Sequence, residues 1–590
     1  MKRIISLCLF FLFLLFNAVP SFAWANEMNL YVEKATQRGD EQCYHGAQYE
    51  PKTGSYLGIY AEGDPAVHNP ANGRPFYFDG VPALTGKRHA MYMIYLPWGM
   101  EFNIYESHFN RAKKLNEGMQ IALEPNGGLD QVQDNSYLHN FAKQAASSGI
   151  PVFLRFANEM NDVGSEWGGD PKKYIEKFQL VARVMHNEAP NVAMCWAPND
   201  WPFGPAAEYY PGDEYVDWIG VSAYPPYLAS GVSEQNTKWS DRIKYIYDAY
   251  ADRKPIYLAE GAPIQNVLFE TTDVSWVGAK DLKEFYGEIS RRYPAVKAVF
   301  YWDNQETWGA ARKCMLSGNQ NILNAYKSAI ACPYFLSGMN ASSPVIFIDL
   351  ADSPPLEPRT QKISTYVGNH RLDTAKVVYY INGKYAAEVL GSPYEALLDL
   401  SAYAGQNITI QAEAYDSSDQ ICGMVTDTVS LIVSAYAGEY ATNVQAYVDG
   451  NRLNFDNNMG YPIVRDNRIF LPVKATAEAM DATVNWLPPS GVQSQVGNRT
   501  VLMTVGSKTY VVNGETKQME VEPFANAEIG RTYVPARYIA EGLGYVMEWR
   551  QFDGVDYLFN FTKGQTETER KTIMDSIASS NPQSSGSIAL

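Results

Sequence analysis

The amino-acid sequence predicts an α/β chain in which a (β/α)8 barrel is followed by a β-sandwich and a small α+β repeat module. Eight short apolar runs recur over roughly 250 residues, the number and length expected of such a barrel. Longer amphipathic stretches separate these runs, which is typical of helices that connect parallel strands. After residue 340 the runs alternate in polarity, which indicates antiparallel sheets in place of a parallel one.

The first residues have the pattern of an export signal. A basic start at residues 1–3 precedes the apolar run 4–16, and small residues then offer cleavage after Ala23 or Ala25. The apolar run is too short to span a bilayer, and no later segment reaches about eighteen uncharged apolar residues. We therefore expect a signal peptide over residues 1–25, and a protein that is secreted or associated with the cell surface without a membrane span.

Composition narrows the classes of partner. The 590 residues carry a net charge of −17, so nucleic acid and anionic membrane surfaces would be repelled. Aromatic residues make up 13% of the chain, a content that fits stacking against sugar rings as well as ordinary core packing. A polysaccharide is therefore the partner that we expect.

Cysteine and histidine spacing gives no sign of a metal site. Six cysteines occur, of which Cys8 lies in the signal, and no Cys-x-x-Cys or Cys/His ligand pattern is found. Cys195 lies in an apolar run and is expected to be a buried thiol. Cys314 and Cys332 are either a disulfide pair, which export would permit, or two further free thiols. We expect no metal and no cofactor.

Each predicted strand of the barrel is a short apolar run followed by Gly, Pro, Asn or acidic residues. The eight runs are 56–60, 90–95, 119–123, 152–156, 192–197, 218–222, 256–259 and 298–301. An open doubly wound sheet is the rival arrangement, but no glycine-rich phosphate loop follows the first strand. We therefore predict a (β/α)8 (TIM) barrel over residues 26–338, with its chemistry at the C-terminal ends of the strands.

Two glutamates stand at the ends of two of these strands. Glu159 follows the fourth run and Glu260 ends the seventh, so a barrel would bring both to one rim. Glycosidic bond cleavage needs such a pair, because one carboxyl group protonates the leaving oxygen while the other attacks the sugar or activates water. The alternative is that either side chain caps a helix or pairs with a nearby Arg.

Other side chains at the strand ends have the types found in a sugar cleft, although each aromatic alone fits loop packing equally well. The candidate substrate-binding residues are Trp98, Glu124, Arg155, Asn158, Asn161, Trp167, Trp196, Tyr224 and Trp302, with Asn126, Asn199, Trp201 and Asp303 beside them. The set favours a carbohydrate site more strongly than any member does.

The motif Arg155-x-x-x-Glu159-x-Asn161, with Trp167 in the next loop, resembles the acid/base segment of glycoside hydrolase family 26, the β-mannanase family. The segment Lys-Pro-Ile-Tyr-Leu-Ala-Glu-Gly at 254–261 resembles the nucleophile strand of that family. Segments 123–125, 218–220 and 300–302, together with Asp130, match in order and spacing, so the resemblance covers about residues 40–335.

The resemblance implies a retaining double displacement. Glu159 would be the acid/base, Glu260 the nucleophile, Tyr224 a hydrogen-bond partner of the nucleophile, and Trp302 the floor of the cleaved sugar's subsite. The mannanases carry His immediately before the acid/base, where this chain has Asn158. Asn-Glu is the pattern of the wider clan of retaining barrels, in which the Asn binds the sugar 2-hydroxyl.

Residues 342–435 resemble a bacterial Ig-like sandwich, which acts as a spacer or binds a ligand of its own. Residues 440–565 contain a repeat that begins at Arg468 and again at Arg531, and they resemble the copper amine oxidase N-terminal-like stalk module. No His follows His370 and no Cys follows Cys422, so the module lacks the usual soft ligands for copper. We expect it to bind the cell wall or to self-associate, and residues 566–590 to form a flexible tail.

Together these features predict a secreted retaining endo-β-glycosidase, with a β-mannan-like substrate favoured. One alternative is a hydrolase of the producer's own exopolysaccharide or wall glycan. Another is a surface protein that binds polysaccharide without cleaving it.

Overall fold

The computed structural model describes residues 27–36, 40–67, 77–200, 205–225, 238–267, 270–304, 313–368, 374–431, 444–453, 455, 459–465, 468–526, 531–552 and 555–579. The predicted signal peptide, Trp201 and residues 580–590 of the predicted tail lie outside these residues. Within them, no helix is both long and apolar enough to cross a membrane. The chain divides into two compact units, the first extending to residue 431 and the second formed mainly by the residues after it.

The first unit contains a closed parallel barrel. Strand β1 (Met28–Ala35) precedes it and lies in a different sheet. The barrel strands are β2 (Ser55–Tyr60), β3 (Met91–Pro97), β4 (Gly118–Glu124), β5 (Val152–Phe156), β6 (Val192–Trp196), β7 (Trp218–Ser222), β8 (Ile256–Glu260) and β9 (Val296–Trp302). They pair in sequence order, and β2 closes the barrel on β9, with the short β10 (Phe335–Leu336) added beside β2. The predicted (β/α)8 barrel is therefore confirmed.

Helices follow the barrel strands. They are α1 (Tyr77–Thr85), α2 (Glu106–Leu115), α3 (Ser136–Ser148), α4 (Pro171–Glu188), α5 (Asp241–Tyr250), α6 (Ser275–Arg291) and α7 (Gln320–Ile330). Local sequence explains several of their N-termini. The side chains of Asn135, Asp170 and Asn319 each accept a hydrogen bond from a backbone N–H in the first turn, as N-cap residues do.

The barrel strands are buried on both faces, which explains their continuous apolar sequences. One set of side chains packs under the helices, and the other fills the barrel interior. The interior set includes Tyr56, Cys195, Tyr257 and Phe300. Gly58 faces this interior, where a Cβ atom would lie 2.5 Å from the Phe300 ring, so glycine makes room for that ring.

The cysteines that the structure describes form no disulfide. Cys195 is buried, as expected from its apolar run. Cys314 is also buried and is not bonded to Cys332, so of the two alternatives for this pair the structure shows two thiols and no disulfide.

A two-sheet module follows the barrel within the same compact unit. Its strands are β11 (Val345–Asp349), β12 (Thr360–Val367), β13 (Thr374–Ile381), β14 (Lys384–Val389), β15 (Ala396–Asp399), β16 (Asn407–Asp416) and β17 (Ile421–Ser430). One sheet has the order β14-β13-β16-β17, and the other has the order β11-β1-β12-β15. Strand β1 thus lies between β11 and β12, although it precedes the barrel in sequence and fell inside the predicted barrel domain.

Buried charged residues join the barrel to the two-sheet module. Lys238 pairs with Glu284 at 3.2 Å and donates to the carbonyl of Val367 at 2.7 Å. Arg291 donates to the Ser364 hydroxyl at 2.7 Å and to Glu395 at 2.6 Å. Because these bonds satisfy buried charges, they hold the module firmly against α6 and the start of α5.

The second unit contains the sequence repeat. Its strands are β18 (Val444–Val448), β19 (Asn451–Arg452), β20 (Ile463–Arg465), β21 (Arg468–Pro472), β22 (Thr483–Leu487), β23 (Gly491–Val496), β24 (Arg499–Thr504), β25 (Thr509–Val512), β26 (Glu515–Gln518), β27 (Phe524–Asn526), β28 (Arg531–Pro535), β29 (Val546–Phe552) and β30 (Val555–Thr562). Its helices are α8 (Val473–Ala479), α9 (Ala536–Leu543) and α10 (Glu567–Ser579). The two copies form β21-α8-β22 and β28-α9-β29, and β21 pairs antiparallel with β28. The pairing joins Phe470 to Pro535 and Pro472 to Tyr533, so the copies meet through equivalent residues.

Candidate active site

The C-terminal ends of β3, β5, β7 and β8 bring a group of polar side chains together. Glu260 is the last residue of β8, and Glu159 follows the end of β5 in a tight turn. Ala157 and Glu159 have φ angles of 45° and 58°, in the left-handed region that costs a side-chain-bearing residue free energy. The backbone N–H of Glu159 donates to the carbonyl of Ala197 at 2.9 Å, which holds this turn in place.

Three hydrogen bonds to Glu260 come from residues that the structure describes. The Tyr224 hydroxyl donates to Oε1 at 2.7 Å. The Arg155 guanidinium and the Tyr95 hydroxyl each donate to Oε2 at 2.8 Å. Three donors, one of them charged, stabilise an ionised carboxylate. This carboxyl group is therefore suited to act as a nucleophile.

Glu159 has different surroundings. Asn199 donates to its Oε2 at 3.0 Å, and Arg155 reaches Oε1 at 3.4 Å. Its side chain is 25% exposed, against 11% for Glu260, so it is the more accessible of the two. Burial raises the pKa of Glu159, the charge of Glu260 raises it further, and Arg155 opposes both. A carboxyl group with a raised pKa keeps its proton long enough to act as a general acid.

Arg155 connects the two carboxyl groups. It is fully buried, with one terminal nitrogen on Glu260 and the other on Glu159 and on the Ser222 hydroxyl. Its assignment as a substrate-binding residue is therefore wrong, because its guanidinium lies beneath the carboxyl groups and not on the cleft surface. The Arg–Glu pairing that was an alternative to catalysis does occur, and it brings both carboxyl groups to one guanidinium.

Trp302, at the end of β9, is stacked on Tyr60 with ring centroids 5.9 Å apart and an interplanar angle of 20°. Its indole N–H donates to the Tyr95 hydroxyl at 2.9 Å. This contact places the ring next to the partners of Glu260, where the resemblance expects the floor of a sugar subsite.

Two further aromatic candidates lie in the loops after β3 and β5. Trp98 is half-buried and packs edge-on against Tyr137 and Phe156. Trp167 is also half-buried, and its indole N–H donates to the carbonyl of Asn158 at 2.7 Å. Both rings retain accessible surface, as a sugar platform requires.

Glu124 and Asn158 form a polar pair beside the two glutamates. Their side chains are hydrogen-bonded to each other, and burial raises the pKa of Glu124 to about 7. The side-chain oxygen of Asn158 is buried, and no partner for it occurs in the part of the chain that the structure describes. An acceptor of this kind can take a hydrogen bond from a sugar hydroxyl.

Trp196 does not belong to the cleft. It is fully buried, and its ring packs against Tyr210 and Tyr250 at centroid distances of 5.0 and 5.6 Å. Neighbouring side chains of a strand point to opposite faces, and Trp196 lies on the helix side while Cys195 occupies the barrel interior. Its assignment as a substrate-binding residue is therefore wrong.

Asn161 holds a neighbouring residue of the site in place. It is fully buried, its side-chain amide donates to the carbonyl of Asn199 at 2.8 Å, and its side-chain oxygen accepts the Asn199 backbone N–H at 2.8 Å. These two bonds fix the residue that donates to Glu159. Contact between Asn161 and a substrate was therefore also a wrong prediction.

Two residues of the site were missed in the sequence. Tyr95 ends a run that reads as an ordinary buried strand, and Ser222 is the last residue of another. The available signal was a hydroxyl at the C-terminal end of a barrel strand, because that is the rim on which catalytic residues lie. No group of three His, Cys, Asp or Glu side chains suited to a metal ion occurs among the residues with described positions.

Comparison with known proteins identifies two families along the chain. Residues 98–262, which include Glu159 and Glu260, match Glycosyl hydrolase family 26. Residues 447–555 match the Copper amine oxidase N-terminal domain. Both families predicted from the sequence are therefore confirmed.

Among curated proteins, Endoglucanase H of Acetivibrio thermocellus is 23% identical over 295 residues, covering 46% of this chain and 30% of that protein. Beta-1,3-xylanase of an Alcaligenes species is 25% identical over 26% of this chain and 32% of its own length. Mannan endo-1,4-beta-mannosidase of Bacillus subtilis is 26% identical over 28% of this chain and 42% of its own. The chain thus spans roughly a third of the length of the curated relatives that it matches.

Solved structures give similar matches. A modular endo-beta-1,4-mannanase from Cellulomonas fimi aligns with 66% of this chain and 99% of its own, at 14% identity and a TM-score of 0.36. A GH26 beta-mannanase from Bacteroides ovatus aligns with 48% of this chain and 90% of its own, at 14% identity and a TM-score of 0.35. From the matched families, the chain contains a glycosyl hydrolase family 26 domain, followed by a copper amine oxidase N-terminal domain.

Proposed function

We propose that the barrel hydrolyses internal β-glycosidic bonds of a polysaccharide by double displacement, with retention of anomeric configuration. The observation that carries the proposal is the single guanidinium of Arg155 bonded to both Glu159 and Glu260. Retaining enzymes need their two carboxyl groups about 5–5.5 Å apart, whereas inverting enzymes need room for a water molecule between them. Two carboxyl groups held by the terminal nitrogens of one guanidinium fit the shorter separation.

In the first step the Glu260 carboxylate attacks the anomeric carbon and Glu159 transfers its proton to the departing glycosidic oxygen. The bond from that carbon to the leaving sugar breaks, and an ester bond to Glu260 forms. The raised pKa of Glu159 and its greater exposure suit it to this donor role.

In the second step the ionised Glu159 takes a proton from water, and the resulting hydroxide attacks the anomeric carbon. The ester bond breaks, Glu260 leaves as a carboxylate, and Glu159 is protonated for the next cycle. Two inversions give net retention. No group other than water is consumed.

We propose a β-mannan-like substrate, with the producer's own exopolysaccharide or wall glycan as the alternative. Relatives named as mannan endo-1,4-beta-mannosidase, beta-1,3-xylanase and endoglucanase support a β-linked glycan in general. Asn158 stands where the family's mannanases carry His, and its buried side-chain oxygen is open to a hydroxyl donor. This residue is expected to contact the 2-hydroxyl, which is axial in mannose and equatorial in glucose.

We also propose that the protein is exported and held at the cell surface. The basic and apolar start of the chain supports export, and the repeat module supports attachment to the wall or self-association. The match to a copper amine oxidase N-terminal domain does not bring copper chemistry, because residues 436–590 contain no His and no Cys.

A substrate screen with product analysis tests the proposed activity. The purified full chain is incubated with β-mannan, xylan, mixed-linkage glucan and the producer's own polysaccharide, with Glu260→Ala as the inactive control. Proton NMR of the first products reads their anomeric configuration. We expect internal cleavage with a β-configured initial product. An α-configured initial product would contradict the assigned mechanism, and binding without cleavage of any glycan would favour a non-catalytic polysaccharide-binding protein.

A further inference from the structure

Tyr95 lies between the expected nucleophile and the expected sugar platform. Its half-buried hydroxyl is 2.8 Å from Glu260 Oε2 and 2.9 Å from the indole nitrogen of Trp302. The indole N–H can only donate, so at that contact the phenol oxygen must accept. The single hydroxyl hydrogen of Tyr95 is therefore free for Glu260, and the direction of both bonds follows from chemistry.

The two oxygens of Glu260 are unequally occupied. Among the residues that the structure describes, Oε2 accepts from both Arg155 and Tyr95, whereas Oε1 accepts from Tyr224 alone. A carboxylate oxygen has two lone pairs available to donors. With respect to the described residues, both are used on Oε2, and one is left on Oε1.

We propose that Tyr95 is a positioning residue that, together with Arg155, occupies Oε2 of Glu260 and thereby makes Oε1 the oxygen that attacks the anomeric carbon. This inference rests on the proposed function, because it assigns a role within the same displacement. Trp302 fixes the orientation of the Tyr95 hydroxyl, so the sugar platform and the nucleophile are joined through two successive hydrogen bonds.

The proposal has a consequence for the way in which kcat and KM divide. A donor on Oε2 that leaves Oε1 to attack the anomeric carbon acts in the displacement itself, so its loss lowers kcat and leaves KM nearly unchanged. Tyr95→Phe keeps the ring and removes only the phenol hydroxyl.

The test compares Tyr95→Phe with Tyr56→Phe in the full chain. Tyr56 is a matched control because it is also a tyrosine of a barrel strand, and its hydroxyl accepts a backbone N–H from Asn340 at 3.2 Å. We expect Tyr95→Phe to lower kcat/KM about 10- to 100-fold, the usual effect of losing a hydrogen bond to a charged group. The loss should fall on kcat, with KM changed by less than about twofold. Tyr56→Phe should change neither quantity.

Trp302→Phe provides a second measurement, which also covers the case in which Tyr95→Phe does not fold. It keeps an aromatic platform but removes the N–H that orients Tyr95, so kcat should fall in the same direction by less. Weaker sugar stacking alone would raise KM and leave kcat unchanged. An unchanged kcat in Tyr95→Phe, or in Trp302→Phe when the first variant fails to fold, would overturn the proposal. A wild-type chain that cleaves no glycan would instead refute the proposed function.

Discussion

Glu159 and Glu260 carry the same carboxyl group, and their neighbours make them chemically different. Glu260 is held by three donors, while Glu159 is more exposed and has a pKa raised by burial and by the charge of its partner. The difference depends on residues from four strands, which is why no single segment of the sequence contains the site.

Replacing each glutamate by alanine should separate their roles. Glu260→Ala should lose turnover on every substrate, because no nucleophile remains, and azide should restore some activity with a glycosyl azide of inverted configuration. Glu159→Ala should slow poor leaving groups far more than activated aryl glycosides, which depart without a proton. Its azide product should have retained configuration.

Kinetics on both substrate classes and NMR of the azide products check this prediction. Tyr56→Phe serves as a control for the effects of purification and of substitution inside the barrel. Equal losses on all substrates with no response to azide in either variant would show that the roles are misassigned.

Asp281 is a second residue whose surroundings determine its charge. It lies buried on α6 and accepts the backbone N–H of Trp239 at 3.1 Å. Burial raises the pKa of Asp281 to about 8, and the charges of Glu284 and Glu288 add to the effect. The protonated side chain therefore stabilises the fold fully below the unfolded pKa of about 3.8, and this contribution is lost as pH rises through about 8.

Asp281→Asn should remove that loss while keeping an oxygen acceptor for Trp239. Between pH 6 and pH 9 the wild-type chain should lose stability relative to the variant by on the order of 2 kcal/mol. Thermal unfolding across that range measures the difference, and the exposed Asp252→Asn is the matched control. Parallel pH curves for wild type and Asp281→Asn would contradict the prediction.

At the scale of single elements, the barrel strands depend on close packing inside the barrel. Gly58 on β2 leaves space for the Phe300 ring of the neighbouring β9, and an added Cβ would lie 2.5 Å from that ring. Such a contact is shorter than van der Waals packing allows, so either the ring or a strand must shift.

Gly58→Ala should therefore destabilise the barrel by about 1–3 kcal/mol. Urea unfolding measures the change, and Gly58→Ala combined with Phe300→Leu should recover part of it because the smaller side chain frees space. An unchanged unfolding midpoint in the single variant would show that the ring moves aside without cost.

The elements also show what the sequence could and could not predict. All eight barrel strands were recognised because continuous apolar runs require burial on both faces. The same property conceals which way each side chain points, because a run that is apolar throughout does not reveal which residues face the helices and which face the barrel interior. Trp196 was therefore placed in the cleft by mistake, and Tyr95 was missed although its hydroxyl bonds to Glu260.

The pairing of β1 with β11 could not be predicted from the sequence either. The hydrophobic pattern of a strand indicates that one face is buried, but it does not indicate which strand lies beside it.

On the scale of the whole molecule, the two-sheet module is expected to be part of the catalytic unit and not a spacer. Lys238 lies at the beginning of the segment that leads into α5, and its charge is satisfied by Glu284 and Glu288 on α6 and by the carbonyl of Val367 in the module. Arg291 likewise depends on Ser364 and Glu395 of the module. Removing the module would leave several buried charged groups short of partners.

A fragment of residues 40–341 should therefore be much less stable than a fragment of residues 27–431, which retains the complete two-sheet module. The cut removes the Val367 carbonyl and the Ser364 hydroxyl from the buried donors of Lys238 and Arg291. A buried donor left without its acceptor costs about 1–3 kcal/mol, a large share of the stability of an ordinary domain. Thermal unfolding and glycan hydrolysis of both fragments provide the measurement. Equal melting temperatures and equal activities would show that the module is dispensable.

The position of β1 has a consequence for the order in which the chain can mature. Asn29 of β1 hydrogen-bonds Asp349 of β11, and 320 positions separate these residues along the chain. At a synthesis rate of about 5–20 residues per second, β1 must wait on the order of tens of seconds before either neighbour exists. During this interval both of its edges are unpaired, which is the condition under which strands aggregate. Because the whole barrel sequence separates β1 from β11, the sheet that contains β1 can form only after the barrel segment has been synthesised.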